Sequence, residues 1–286
     1  MLITIMKRYF LICLPLIFFS CNNSVKNTSE KDTIENKTAT REIIDEIQTL
    51  IDSSNSLGSV LIFKPSANTY YSNDFEWAEK GHLPASTFKI PNSIVALELG
   101  IIENDSSMFF WGGEDRFQER WERDMNFKEA LQLSCVPCYQ YLAREIGTER
   151  MINTLENIGY PGMVIDSSNI DLFWLQGESR ITSFQQIDFL ERFYNQELPI
   201  SKNTFSNVKT MLLKEENEGF NLSGKSGWSY TNGVDNCWFI GYLEKEGEVY
   251  FFATNLQPPV DVDLNMYAQI RYEITINAFN IIQYLE

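Results

Sequence analysis

The sequence predicts an α+β fold, in which a mostly antiparallel β-sheet is flanked by N- and C-terminal helices and interrupted by an inserted helical subdomain. Strand-like segments occur towards both ends of the chain, while residues 104–218 between them have mostly helical apolar spacing. Helical segments also precede the first strands and follow the last. With 286 residues and 44% hydrophobic composition, the chain has enough apolar material for one large core.

The first predicted elements are one helix and two strands. Residues 41–53 form the helix, because apolar side chains recur there at helical spacing, at Ile43, Ile44, Ile47, Leu50 and Ile51. Short strands follow at about residues 58–64 and 68–73. A Pro-Ser-Ala-Asn turn at residues 65–68 joins them.

Three more helices are predicted before the last third of the chain. One opens at Ser86 and runs to residue 99, and Pro91 removes one of its hydrogen bonds and bends its first turn. Residues 127–133 form another, and a third starts at Pro137, a residue suited to a first helical position. Residues 134–136 therefore fall in the turn between two helices, where a hydroxyl can point into a cleft.

The last third of the chain changes to strand-like sequence. Residues 221–230, 236–243 and 248–255 read as strands, and residues 245–247 (Lys-Glu-Gly) form the turn between the last two. Residues 268–284 then have the apolar spacing of a final helix.

The net charge of −16 limits the kinds of partner that the chain can have. It argues against binding nucleic acid and against electrostatic docking to anionic lipid. An anionic substrate would need a local cationic patch that acts against this overall field.

The N-terminus has the pattern of an export signal. Lys7 and Arg8 precede an apolar run at residues 9–19, which is too short to span a bilayer comfortably. The run ends at Cys21, which follows a small residue, as in a bacterial lipoprotein cleavage site. Lipidation of Cys21 is the favoured interpretation, and plain secretion is the alternative.

These features predict the domain organisation and the location of the protein. The expected parts are a signal peptide at residues 1–20, a polar tether at 21–40 and one folded domain at 41–286, with its helical insertion at about 104–218. The predicted location is the periplasm, either free or anchored to the outer membrane as a lipoprotein.

The five cysteines do not all pair in an oxidising compartment. Cys13 lies in the signal, Cys21 is the candidate lipid site, and Cys135, Cys138 and Cys237 belong to the folded domain. The Cys-Val-Pro-Cys segment follows a helical stretch, whereas a thioredoxin-like redox motif follows a strand. Two buried thiols are favoured there, and a local disulfide and redox catalysis are the alternatives.

Three short motifs occur in a fixed order along the chain. They are residues 86–89 (Ser-Thr-Phe-Lys), 134–136 (Ser-Cys-Val) and 225–227 (Lys-Ser-Gly). Each motif alone is weak, since a chain of this length holds about one Ser-x-x-Lys by chance. Residues 206–209 (Ser-Asn-Val-Lys) show this, because they match both of the first two patterns. The ordered set carries the signal.

The residue types in the three motifs suit serine acyl transfer. On a helix, Ser86 and Lys89 share a face, and lysine can take the serine proton only if burial lowers its pKa. The backbone N–H groups near Ser86 can form an oxyanion hole. Lys225 can hold a carboxylate, and Gly227 lets a ligand approach the strand. Taken singly, these residues also fit a capping serine, a solvated lysine and a polar strand start.

The sequence resembles the class D β-lactamases, or oxacillinases, of the serine β-lactamase/penicillin-binding superfamily. The resemblance covers about residues 57–280 and extends beyond the three motifs. It also includes residues 121–124 (Trp-Glu-Arg-Asp), 173–177 (Phe-Trp-Leu-Gln-Gly), 180–181 (Arg-Ile), 249–253 (Val-Tyr-Phe-Phe-Ala) and 271–274 (Arg-Tyr-Glu-Ile). It implies a β-lactamase/transpeptidase-like fold.

The resemblance implies a role for each matching residue in β-lactam hydrolysis. Ser86 would be acylated, and Lys89 would carry a carbamate formed from CO2 and act as general base. Trp174 would donate its indole N–H to that carbamate, although it also fits an ordinary core position. Val136 and Leu175 would help keep the pocket dry.

The remaining implied roles concern the leaving group and the substrate. Ser134 would relay a proton to the leaving nitrogen, and the N–H groups of Ser86 and Trp228 would bind the oxyanion. Lys225 and Arg271 would hold the carboxylate, although Arg271 also fits a solvated helix position. The implied substrate-binding set is Val136, Trp174, Leu175, Ser226, Gly227, Trp228 and Arg271.

The chain departs from the family pattern in two places. Residues 160–162 (Tyr-Pro-Gly) replace the usual Tyr-Gly-Asn, so no role is carried over to them. Cys135 and Cys138 replace small apolar residues, and a bridge between them would shift the turn that holds Ser134.

The predicted function is therefore that of an exported class D serine β-lactamase, with β-lactam antibiotics as partners and CO2 or bicarbonate as the only accessory molecule. The single histidine, His82, excludes a hydrolase built on clustered histidines and is expected in an exposed loop. One alternative is a penicillin-binding or β-lactam-sensing protein that acylates without efficient deacylation. Another is a lipoprotein binding module whose site has lost its activity.

Overall fold

The structure, a computed structural model, describes residues 38–217, 219–260 and 262–285, and its compact unit begins at Ala39. The helices are α1 Asp45–Ser53, α2 Phe75–Glu79, α3 Lys89–Glu98, α4 Phe127–Gln132, α5 Val136–Ile146, α6 Thr148–Asn157, α7 Ser183–Tyr194, α8 Lys202–Leu212 and α9 Leu264–Leu285. The strands are β1 Thr40–Ile43, β2 Leu57–Lys64, β3 Thr69–Ser72, β4 Met108–Phe109, β5 Met125–Asn126, β6 Leu213–Glu216, β7 Asn221–Thr231, β8 Val234–Lys245 and β9 Glu248–Gln257. The predicted signal peptide at residues 1–20 and most of the predicted tether at 21–40 lie outside the described residues.

One sheet organises the domain. Its strand order is β1-β3-β2-β9-β8-β7-β6, and each neighbouring pair is antiparallel except β1 with β3. Strands β4 and β5 form a separate pair inside the helical insertion. The predicted α+β fold, with a mostly antiparallel sheet and inserted helices, is confirmed.

Two tight turns align the three long strands next to the candidate site. Asn232-Gly233 joins β7 to β8, and Glu246-Gly247 joins β8 to β9; all four residues have φ between 54° and 84°. Two-residue turns with both φ values positive match the twist of antiparallel strands. They fix the register that sets Lys225 opposite Ile240.

The sheet is buried on both faces, with one helical layer against each. Val60 and Ile62 of β2 pack in a cluster with residues of α1 and α9, whereas Leu61 and Phe63 pack with the helices of the insertion. This is why β2 reads as a continuous apolar run. Within the described ranges, no helix is both long enough and apolar enough to cross a membrane.

The predicted helix at residues 41–53 is wrong in its first turn. Residues up to Ile43 belong to β1, which pairs in parallel with β3, and the helix starts at Asp45. Ile43 is exposed, so its place in the apolar pattern was accidental. Pairing with the open edge of the sheet outweighs the local helical period.

The helix predicted to open at Ser86 is also different. Ala85–Phe88 form a tight 3₁₀ turn, and α3 starts at Lys89. Pro91 therefore lies in the first turn of α3. Backbone N–H groups in the first turn have no acceptor within the helix, so the N–H that proline lacks costs no helical hydrogen bond.

Candidate active site

The turn that carries Ser86 is anchored by two hydrogen bonds just before the serine. Ala85 has φ +51°, and its N–H donates to the Trp174 carbonyl at 2.8 Å. Two residues earlier, the Leu83 carbonyl accepts from Trp238 Nε1 at 2.8 Å. A left-handed backbone at alanine costs about 1–2 kcal/mol, so these contacts stabilise the strained conformation of Ala85 and thereby define the position of Ser86.

Ser86 and Lys89 form a buried pair. Lys89 Nζ donates to Ser86 Oγ at 2.8 Å, and the lysine side chain is fully buried. Burial lowers the pKa of Lys89 from 10.5 to about 7, since desolvation disfavours the ammonium form. The ring of Tyr139 lies 5.2 Å from Nζ. The amine can therefore be neutral near neutral pH, as a base for Ser86 requires.

Ser134 and Lys225 form a second hydroxyl–amine pair. Ser134 lies in the turn between α4 and α5 with φ +58°, and Lys225 Nζ donates to its Oγ at 2.6 Å. Lys225 Nζ also donates to the Ser226 carbonyl at 2.7 Å. Burial first, and then the nearby cations Lys214 and Lys89, hold the pKa of Lys225 well below its ordinary value.

Strand β7 closes on the Ser86 turn at Gly227. A Cβ atom at Gly227 would lie 3.2 Å from the Pro84 carbonyl oxygen and 3.2 Å from Thr87. A side chain there would push the strand away from the nucleophile. Arg271 from α9 donates from Nη1 to the Gly227 carbonyl at 2.8 Å, and burial lowers the pKa of this guanidinium.

These groups open into a cavity of about 570 Å³. Of the residues predicted from the sequence, seven line it, namely Ser86, Ser134, Val136, Ser226, Gly227, Trp228 and Arg271. Lys89 and Lys225 are buried next to their serines and are not in the lining. The structure thus brings the three motifs together.

Three basic side chains lie at the cavity or directly behind its serines, in a chain whose net charge is −16. Among the described residues, Lys89, Lys225 and Arg271 form no ion pair with a carboxylate. Burying such groups without a carboxylate is costly, and the lowered pKa values of Lys89 and Lys225 reflect that cost. A cluster of this kind is typical of a site for an anionic ligand, which would restore the charged forms. This is the patch that an anionic substrate needs.

Trp174 and Leu175 lie outside the lining. Trp174 is fully buried and stacks on Phe88, with ring centroids 5.6 Å apart. Its Nε1 has no hydrogen-bond partner in the described part of the chain. Burying a donor without a hydrogen-bond partner costs free energy, and a bound polar group could accept from it. Leu175 is half-buried against the main core, and the structure does not place it at the cavity.

Sequence reasoning missed one wall of the cavity. Phe117, Gln118, Arg120 and Trp121 line it from the loop before α4, and Phe117 is 85% exposed. The apolar residues of this loop follow neither a helical nor a strand spacing, so only the family resemblance of its Trp-Glu-Arg-Asp segment drew attention to it. Asp235 of β8 was also missed; it accepts from Trp228 Nε1 at 2.5 Å and orients that indole.

Two expectations near the site are wrong. Cys135 and Cys138 form a disulfide, not two buried thiols, although both are buried; their Cα atoms, at the start of α5, are 5.4 Å apart and within bridging reach. His82 is not in an exposed loop. Its backbone pairs with Ile181, its ring stacks on Trp77, and burial lowers its pKa to about 4.

The departure at residues 160–162 lies in an irregular segment after α6 that packs against Arg180. Gly162 has φ +80°, and its carbonyl accepts from the Arg180 N–H at 2.8 Å. A Cβ atom at Gly162 would lie 1.9 Å from the Arg180 carbonyl oxygen, so this close approach requires glycine. Tyr160 packs edge-to-face on Phe88, at 5.9 Å between ring centroids.

Comparison with known proteins identifies the fold. Residues 47–275 match the penicillin-binding protein transpeptidase domain. The β-lactamase OXA-10 of Pseudomonas aeruginosa is 41% identical over 202 residues, which cover 70% of this chain and 76% of that protein. The regulatory protein BlaR1 of Bacillus licheniformis is 30% identical over 214 residues, which cover 74% of this chain and 35% of that protein.

A solved structure agrees with these sequence matches. The class D β-lactamase YbXI from Nostoc superposes with a TM-score of 0.78 and 37% identity, covering 83% of this chain and 98% of that one. The predicted family and the predicted enzyme type, a serine β-lactamase, are confirmed. The chain belongs to the class D β-lactamases, within the penicillin-binding protein transpeptidase family.

Proposed function

We propose that the protein hydrolyses β-lactams through an acyl-enzyme on Ser86. The main support is the 2.8 Å contact between Ser86 Oγ and the buried Lys89 amine, whose pKa is about 7, beside a cavity formed by all three motifs. Ser86 attacks the lactam carbonyl as the Lys89 side chain accepts its proton. The N–H groups of Ser86 and Trp228 stabilise the oxyanion.

Ser134 delivers a proton to the leaving nitrogen. Its hydroxyl is 2.6 Å from Lys225 Nζ, so a proton lost from Ser134 is replaced from the lysine. Arg271 and Lys225 bind the substrate carboxylate, and Ser226 and Gly227 provide the strand edge along which it lies. The guanidinium of Arg271 supports this assignment, since it lines the cavity of a chain whose net charge is −16.

Lys89 is proposed to carry a carbamate, and the surrounding residues fit that group. Its amine is buried and easily neutral, and Trp174, which stacks on the neighbouring Phe88, has an Nε1 donor without a partner among the described residues that would bind the anion. When CO2 is bound there, the carbamate supplies an anionic general base for both acylation and hydrolysis. Val136, which lines the cavity, contributes apolar surface that limits water.

An alternative is acylation without turnover, as in a β-lactam sensor. The similarity to the regulatory protein BlaR1 favours it as the second candidate. The two functions share Ser86, Lys89 and the cavity, and they differ only in whether the acyl-enzyme is hydrolysed.

Export to the periplasm is also part of the proposal. Lys7, Arg8 and the apolar run at residues 9–19 support a signal peptide, and Cys21 supports lipid anchoring at the outer membrane. Mass spectrometry of the mature N-terminus distinguishes a lipidated Cys21 from a plain cleaved end.

The deciding experiment is hydrolysis of a chromogenic cephalosporin with and without added bicarbonate. We expect steady turnover that falls on CO2 depletion, most strongly below pH 7 where Lys89 is protonated, and that returns with bicarbonate. Turnover that is indifferent to bicarbonate contradicts the carbamate. A stable acyl adduct in mass spectrometry without turnover indicates a sensor, and neither adduct nor turnover indicates a binding module.

A further inference from the structure

The disulfide between Cys135 and Cys138 has no part in the proposed mechanism, yet it directly follows Ser134 in the chain. Cys135 is the N-cap residue of α5, and its Sγ accepts from the Cys138 N–H at 3.2 Å. Both cysteines are buried. In a simple entropic estimate, a link across so few residues stabilises the fold by only about 2 kcal/mol. Its location therefore matters more than its contribution to global stability.

The Ser134 backbone is strained and needs support from both sides. A left-handed backbone conformation at serine costs about 1–2 kcal/mol, so Ser134 would leave this conformation unless neighbouring residues stabilise it. On the N-terminal side, the Ser134 N–H donates to the Leu131 carbonyl at 3.1 Å, and the Cys135 N–H donates to Ala130 at 2.9 Å. On the C-terminal side, Cys135 caps α5, its carbonyl accepts from the Tyr139 N–H at 3.4 Å, and the disulfide to Cys138 ties it covalently to the first turn of that helix.

The disulfide also lies between two residues of the cavity lining. Ser134 precedes Cys135, and Val136 follows it, and both line the 570 Å³ cavity. A shift of Cys135 therefore moves the Ser134 hydroxyl relative to Lys225 Nζ, 2.6 Å away. A misplacement of about 1 Å in a reacting group costs on the order of 100-fold in rate.

We propose that the Cys135–Cys138 disulfide is a positioning element for Ser134, which keeps its hydroxyl between Lys225 and the leaving nitrogen during acylation. This inference rests on the proposed proton relay through Ser134. Because Ser134 acts when the lactam bond breaks, the disulfide matters for acylation and much less for hydrolysis of the acyl-enzyme.

The first test separates positioning from stability. In the double variant Cys135→Ala/Cys138→Ala, we expect the single-turnover acylation rate to fall about 10-fold and the deacylation rate to change less than twofold. The control is Ala143→Gly, which loosens the same helix α5 at a buried position away from the site. It should lower the melting temperature and leave acylation near the wild-type rate.

Two results of this first test overturn the inference. One is unchanged acylation in the double cysteine variant with only a lower melting temperature, which makes the disulfide purely structural. The other is an equal loss in acylation and deacylation, or the same kinetic loss in Ala143→Gly, which indicates general loosening of the domain.

The second test asks whether the disulfide acts through Ser134. In a Ser134→Ala background, removing the disulfide should change acylation less than twofold, because the group that it positions is already absent. If the triple variant Ser134→Ala/Cys135→Ala/Cys138→Ala shows the product of the two separate losses in acylation rate, the inference about the disulfide is wrong, while the proposed relay through Ser134 is unaffected. If Ser134→Ala acylates at the wild-type rate, the proposed relay through Ser134 is wrong as well. The proposal that the protein hydrolyses β-lactams is tested separately, by turnover of the wild-type enzyme.

Discussion

Two segments of this chain have the same Ser-x-x-Lys spacing but different surroundings. Ser86 and Lys89 lie at the sheet–insertion boundary, with Lys89 fully buried and its Nζ 2.8 Å from the serine. Ser206 and Lys209 lie on the exposed face of α8, where Lys209 Nζ sits 5.4 Å above the Tyr194 ring. The spacing allows a serine–lysine contact, but only burial of the amine makes lysine a usable base.

The free-energy cost of burying the Lys89 ammonium can be estimated from the pKa of this side chain. A fall from 10.5 to about 7 corresponds to about 5 kcal/mol of lost preference for the charged form. The surrounding core and the anchored 3₁₀ turn provide that energy. The exposed pair on α8 has no comparable burial.

Replacing each lysine by alanine tests the comparison directly and has the largest expected effect. We expect Lys89→Ala to lower the deacylation rate about 10³-fold or more, because the base for the attacking water is lost. Lys209→Ala should stay within about twofold of the wild type. Stopped-flow hydrolysis and mass spectrometry of the trapped acyl-enzyme measure both. Efficient turnover by Lys89→Ala contradicts the assignment of the base.

The same pair of lysines should differ in their effect on stability. Because the folded pKa of Lys89 lies below the unfolded value, the unfolded chain binds more protons between pH 7 and 10.5, and stability rises with pH across that window. Lys89 therefore destabilises the fold by about 4 kcal/mol at pH 7. We expect Lys89→Met to raise the free energy of unfolding by about 2–4 kcal/mol at pH 6, after the lost contact to Ser86 is subtracted.

The gain should shrink towards pH 10, and Lys209→Met should show neither the gain nor its pH dependence. Urea unfolding in CO2-free buffer measures both variants against the wild type. A gain that is constant with pH shows that the amine is not desolvated in the fold.

Sequence patterns predicted local features of the site better than distant ones. The Ser86–Lys89 contact follows from a three-residue spacing, and the turn between α4 and α5 follows from Pro137. The approach of Lys225 to Ser134, 91 residues away, depends on the sheet register, and only the family resemblance indicated it.

Features set by tertiary contacts could not be read from local sequence. Alanine and serine have no preference for positive φ, so the conformations of Ala85 and Ser134 depend on their anchors. A Cys-x-x-Cys spacing is the same for thiols and for a disulfide, so it left the bridge undecided. The β1 segment became a strand because a sheet edge was free beside it, and its apolar spacing carried no sign of that.

The smallest expected effect concerns Trp174, the proposed donor to the Lys89 carbamate, for which Lys209 has no proposed counterpart. Trp174→Phe keeps an aromatic ring against Phe88 and removes the donor that has no partner among the described residues. We expect about 10-fold lower turnover at ambient bicarbonate and recovery at saturating bicarbonate, because weaker carbamate binding is offset by mass action.

The control is Trp77→Phe, which removes an indole N–H bonded to Asn255 Oδ1 at 2.8 Å, outside the cavity lining. It should leave turnover and its bicarbonate dependence unchanged. A ¹³C NMR titration with labelled bicarbonate measures occupancy of Lys89 without relying on activity, and its midpoint should rise only in Trp174→Phe. Equal midpoints in the wild type and Trp174→Phe contradict the role of the indole, because a donor to the bound anion must change the free energy of binding when it is removed.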